Sequence, residues 1–135
     1  MYSTPTKQQR FILAQLNELT LVFPAEIVEE ILIVEREQIL NLPFYDPAVM
    51  GCVHTAGGII PLISLHQIFG LKFNKTKKIH IVRLNEKAGK MGLVVERVIG
   101  SQNEEQLPPD LFNSDKMQLF RPEMINSNLW QPRHW

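Results

Sequence analysis

Gly51-Cys52-Val53-His54-Thr55-Ala56-Gly57-Gly58-Ile59-Ile60-Pro61-Leu62-Ile63-Ser64-Leu65 is the stretch that decides the fold. Residues 51–53 read as an extended segment. Ala56-Gly57-Gly58 is a sharp turn signal, because glycine enters positive φ without a Cβ clash. Residues 59–65 then form a near-continuous apolar run of strand length. A turn between two such runs predicts paired strands rather than a helix.

Working outward, the C-terminal side continues in the same manner. Residues 66–69 suit a short helix, with Gly70 as its cap. A polar, basic connector covers 74–78. Strands are predicted at 79–84 and 91–98, joined by a hairpin loop at 85–90. Residues 100–110 are polar and contain prolines, and 117–120 suits one last strand. On the N-terminal side, 41–48 is a proline-containing loop. Residues 28–34 could be helix or strand. The β-branched Val28, Ile31, Ile33 and Val34 favour a strand, entered by a helical turn at 24–27. Residues 11–16 and 19–23 form a hairpin about Asn17-Glu18, ended by Pro24, which cannot donate to a ladder. About seven short strands at even spacing predict an all-β barrel or sandwich.

The chain has 135 residues, 44% of them hydrophobic, enough for a real core. Fourteen basic and 14 acidic residues balance to zero, which gives nucleic acid or an anionic membrane no handle. The single cysteine excludes an internal disulfide framework and suits a reducing compartment. The first ten residues are polar and make no signal peptide. No apolar run approaches the roughly 20 residues that span a bilayer. These features predict a cytoplasmic protein with no membrane insertion.

Candidates for chemistry are few. Cys52 and His54 share a strand face, but neither they nor His66, His80 and His134 give zinc-site spacing. Cys52 reads as a small buried hydrophobe. Ser64 lies in no nucleophile elbow, and its hydroxyl is expected to bond to backbone. Gly57-Gly58 lacks the lysine and the helix of a phosphate loop. No metal, cofactor or catalysis is therefore expected. Residues 26–37 are rich in glutamate and 72–90 in lysine. Two separated patches that steer charged partners, or two ordinary solvated surfaces, both explain this. Alternation places Val28, Glu30 and Leu32 on one strand face and Ile31 and Ile33 on the other. Trp130 and Trp135 are interface anchors or cover for a barrel end, and both readings stay open.

The order Val28-Glu29-Glu30-Ile31, then 51–65, then Phe69-Gly70-Leu71, then 79–84 and Gly92-Leu93-Val94-Val95-Glu96-Arg97-Val98, resembles the CheW family. The resemblance runs over residues 11–98. It implies two intertwined five-stranded SH3-like β-barrels with one or two short helices, the second barrel incomplete at the C-terminus. A single domain would span 10–125, after a flexible lead at 1–9 and before an unassigned tail at 126–135. One barrel would cover about 17–75. The other would take the N-terminal strand and about 77–125.

The implied role is a non-catalytic adaptor. It would bind the regulatory domain of a chemotaxis-type histidine kinase and the cytoplasmic tip of a chemoreceptor, in swimming or pilus motility. By position, Val28, Glu30 and Leu32 would contact the receptor and Gly51 would lie at the kinase surface. Gly57, Gly58 and Pro61 would shape the turn and strand. The sequence departs from the family pattern in four ways, the first a loop between Ile31 and Gly51 about two residues longer than usual. Ala56 stands where the family has an arginine that pairs with the carboxylate at Glu30, so Glu30 would lack its partner. Ser64 replaces an aspartate. The final glycine-containing and Leu-Leu-Asp strands are missing after Phe120. These departures motivate an alternative, a homo-oligomeric structural β-protein that no longer binds the kinase.

Overall fold

The computed structural model describes residues 9–43, 45–107, 115–125 and 129. The expected lead at 1–9 thus lies almost wholly outside the described residues, as do Trp130, His134 and Trp135 of the tail. The described strands are β1 (Arg10–Leu16), β2 (Leu19–Pro24), β3 (Val28–Glu35), β4 (Val49–Thr55), β5 (Gly58–Ser64), β6 (Lys78–Leu84), β7 (Gly92–Val95), β8 (Arg97–Asn103) and β9 (Met117–Leu119). One helix, α1 (Leu65–Ile68), follows β5.

The strands build two curled sheets, ordered β8-β1-β2-β9 and β3-β6-β7-β5-β4. The chain is mainly β, in the expected architecture of two small SH3-like barrels. Among the described residues they hold four and five strands. Strand β2 lies beside β1, while β6 and β7 join β3, β4 and β5.

Local chemistry explains most elements. Asn17 takes the left-handed conformation (φ 56°) that the β1–β2 turn requires. A 3-10 turn at Ala25–Ile27 delivers the chain into β3, as the sequence suggested. Helix α1 stops in a two-bond C-terminal motif. Gly70 (φ 68°) donates to the Gln67 carbonyl and Leu71 to that of His66.

One expectation needs correction. Residues 91–98 are not one strand. Strand β7, fully buried, pairs with β5 and β6. At Glu96, whose N–H donates to the Gln15 carbonyl, the chain leaves that sheet. Strand β8 then pairs with β1 as far as Arg10–Asn103. The polar 100–103 stretch is therefore strand where a loop was expected, because an edge strand needs no apolar alternation.

Three apolar clusters hold the sheets. The largest lies between them and includes Leu16, Leu21 and Phe23 from one sheet and Ile63, Val82 and Leu93 from the other. A second, with Val53, Ile60, Leu62, Ile79, Ile81 and Val94, involves only strands of the five-stranded sheet. The third, Phe11, Leu13 and Val22, belongs to the other sheet.

Candidate protein-docking site

Strand β3 is the edge of its sheet and carries the three residues expected to face a receptor. Its sequence, Val-Glu-Glu-Ile-Leu-Ile-Val-Glu, is apolar on both parities. A register shift between Val28 and Glu30 settles which side goes in. Leu32 and Val34 pack on the second cluster, and Val28 on the inter-sheet core. All three are only partly exposed. Ile31 and Ile33 face outward, 39% and 58% exposed. The exposed apolar face of β3 is thus the parity not assigned to partners from sequence.

Glu30 does have a partner. Arg83 on β6 donates from Nη1 to Glu30 Oε1 at 2.7 Å and to Thr55 Oγ1 at 3.4 Å. This overturns the expectation of a lone carboxylate. The pairing register of β3 with β6 sets Glu30 opposite Arg83, and the side chains then meet across the strands. The guanidinium also fixes the β4–β5 turn. A Cβ on Gly57 would lie 2.8 Å from Arg83 Nη2, so glycine leaves room for it. Thr55 Oγ1 donates to the Gly58 carbonyl and accepts from Gly57 N–H, closing the turn. Gly58 itself sits at φ 113°. A complementary pair was readable in the sequence, but only once the β3–β6 pairing was known.

The ion pair joins a nearly buried guanidinium (11% exposed) to a half-exposed carboxylate (43%). Replacing Arg83 by alanine leaves Glu30 able to reach water, so the loss falls short of that for a fully buried pair. We expect Arg83→Ala to cost about 1–2 kcal/mol in urea denaturation. Arg83→Lys should recover little of it, since a lysine ammonium ends one bond short of Nη1 and leaves the space beside Gly57 unfilled. Full recovery by lysine would show that charge alone matters.

Gly51 is buried, at φ 144°. A side chain there would overlap the Leu40 carbonyl oxygen. Its role in this fold is to let Leu40 cross β4, where Leu40 and Cys52 exchange both backbone hydrogen bonds at 2.9 Å. Leu40, 58% exposed, is the side chain that reaches solvent at that point. Pro61 lies opposite Cys52. Because Cys52 spends both its backbone groups on Leu40, Pro61 has no ladder bond to donate on that side.

The remaining candidates fall into plain roles. Cys52 is free and buried. His54 is exposed. Ser64 Oγ accepts from Gln67 N–H and caps α1. No three of His, Cys, Asp and Glu come together for a metal among the described residues. Burial pushes the His66 imidazole below its ordinary pKa, with the Glu96 carboxylate pulling the other way. Pairing of β3 with β6 brings the two charged stretches side by side, with Glu35 opposite Lys78 and Glu30 in an ion pair with Arg83. No helix among the described residues is long and apolar enough to cross a membrane.

Comparisons with known proteins agree with this geometry. Residues 10–121 match the family model described as CheW-like domain. The chain is 30% identical over 103 residues to "Chemotaxis protein CheW" of Thermotoga maritima, covering 76% of this chain and 67% of that protein. It superposes with a TM-score of 0.61 and 26% identity on the scaffolding protein TtCheW from Thermoanaerobacter tengcongensis, over 76% of this chain and 70% of the other.

Proposed function

The chain belongs to the CheW-like domain family, and from that premise we propose that it is a cytoplasmic, non-catalytic adaptor coupling a chemotaxis-type histidine kinase to chemoreceptors in a motility pathway. The observation that carries this reading is the family match across residues 10–121, which takes in every described strand. Glu30, held by Arg83, would be the polar contact on the receptor side. Ile31 and Ile33, on the other face of the same edge strand, would supply apolar area. A partner that laps over this sheet edge would meet the fixed polar group and the exposed apolar side chains together. On the kinase side Gly51 would act indirectly, by holding exposed Leu40 against β4.

The test is a titration of the purified chain with the kinase regulatory domain and the receptor tip from the same genome. Saturable binding to both is expected. Ile33→Asp should weaken receptor binding by about tenfold or more, equivalent to about 1.4 kcal/mol, while the melting temperature stays put. A folded protein that binds neither fragment would end the adaptor reading and leave the oligomeric structural one. Arg83 already removes one motive for that alternative, since Glu30 has not lost its counter-ion.

A further inference from the structure

Residues 71–77 run without regular structure from α1 to β6. Phe73 is their anchor. Its ring packs on His66 of α1, with centroids 4.7 Å apart and planes inclined by 48°. On Phe73 also rests the Arg36 guanidinium, 5.7 Å from the ring centre. Arg36 Nε donates to the Thr76 carbonyl at 2.7 Å. At the other end, Asn17 Nδ2 donates to the Lys72 carbonyl at 3.1 Å, while Asn17 N–H donates to Glu96 Oε1 at 3.2 Å. The β1–β2 turn thus grips both the connector and the crossover at Glu96.

His66 is only 1% exposed, and its Nδ1 is buried without a hydrogen-bond partner. It lines a cavity of about 250 Å³ with Phe73, Thr76, Lys78, Val95 and Glu96. The neutral ring, with a bare Nδ1, suits this site. A second proton would place an N–H donor on Nδ1 where no acceptor stands, at the cost of an unsatisfied buried donor. The charged groups around it are Lys78 at the start of β6, Glu96 between β7 and β8, and Arg36 across the Phe73 ring. Glu96 favours the charged ring, and burial opposes it more strongly.

We infer that His66 is a proton-sensitive latch, whose neutral ring clamps Phe73 and the 71–77 connector and whose protonation releases them. The sign follows from linkage. The folded form of His66 titrates below the ordinary value of 6.5, so the unfolded or released form binds the proton more readily. The latch is fully closed above pH 6.5 and is lost as pH falls through the lowered folded value. Release would therefore free the Phe73 end of the connector, while Asn17 still holds the Lys72 carbonyl.

The test uses the full chain. Imidazole resonances of the histidines and amide exchange of Leu71 and Arg36, whose N–H groups donate to the His66 and Lys77 carbonyls, are followed together between about pH 5 and 8. We expect exchange of these two amides, corrected for its intrinsic pH dependence, to quicken about tenfold or more through the midpoint of His66. Amides of β3 and β6 should not follow. His66→Phe keeps a ring against Phe73 but takes no proton, and should abolish the step. A step that survives in His66→Phe, or a flat profile in the wild type, overturns the latch. Should His66→Phe not fold, the wild-type midpoint decides. Coincidence with His66 supports the latch, and coincidence with His54 or His80 overturns it.

Discussion

Gly51→Asp should yield no cooperatively folded protein. The backbone at Gly51 lies at φ 144°, where L side chains are strained, and any Cβ would overlap the Leu40 carbonyl oxygen. That oxygen cannot move away cheaply, because it accepts from Cys52 N–H. The aspartate would in addition bury a charge between two strands. Backbone strain, lost hydrogen bonds and an unpaired charge together should exceed about 4 kcal/mol, a large part of the stability of a domain this size. Gly51→Ala should already lower the melting temperature markedly. A thermal melt of Gly51→Asp that matches the wild type would refute this account of the site. The expectation also bears on binding experiments. Loss of kinase binding by this variant would report the loss of β4 and not of a contact.

The second large effect is expected at Phe120. Its ring is 1% exposed and packs on Phe23, with centroids 4.8 Å apart. Its N–H donates to the Val22 carbonyl, and Thr20 N–H donates to that of Lys116. Strand β9 has only three residues, paired in parallel with β2. So short a strand adds little by itself, and Phe120 supplies the burial that holds it. We expect Phe120→Ala to cost about 3–5 kcal/mol in urea denaturation. The same variant should expose residues 115–125 to proteolysis before the rest of the chain. Phe120→Leu, which refills most of the volume, should be much milder. A small loss for Phe120→Ala would mean that β9 is peripheral to the fold.

Much of the architecture was legible where local chemistry is decisive. Asn17-Glu18 and Pro24 bound the first hairpin, β-branched residues identify β3, and Gly70 ends α1. The β4–β5 turn followed from its glycines. What stayed illegible depends on which strand meets which. Strand β3 carries Ile31 and Ile33 on one parity and Leu32 and Val34 on the other, so hydrophobicity gives no orientation. Only the shifted register against β6 decides it. Arg83 is distant from Glu30 in sequence, so their pairing could not be read locally. Gly51 was recognised as a position that matters, but its buried contact with Leu40 depends on a bridge outside the regular strands. Strand β8 was missed because its edge position requires neither alternation nor burial.

The order of strands has a consequence for how this chain comes off the ribosome. All five strands β3 to β7 lie in one continuous stretch between β2 and β8. That sheet can close on itself as soon as β7 has emerged. The β1–β2 hairpin appears first, yet it must wait for Arg97–Asn103 to cover one flank. At roughly 5–20 residues per second, the wait lasts several seconds. During that time Phe11, Leu13 and Val22 have no complete shelter. Such distant pairings also slow refolding in the test tube, because a long loop must close before any contact rewards it. The hairpin is therefore the part of the nascent chain with the greatest need of a chaperone. A circular permutant that opens the domain at β3 would shorten that exposure.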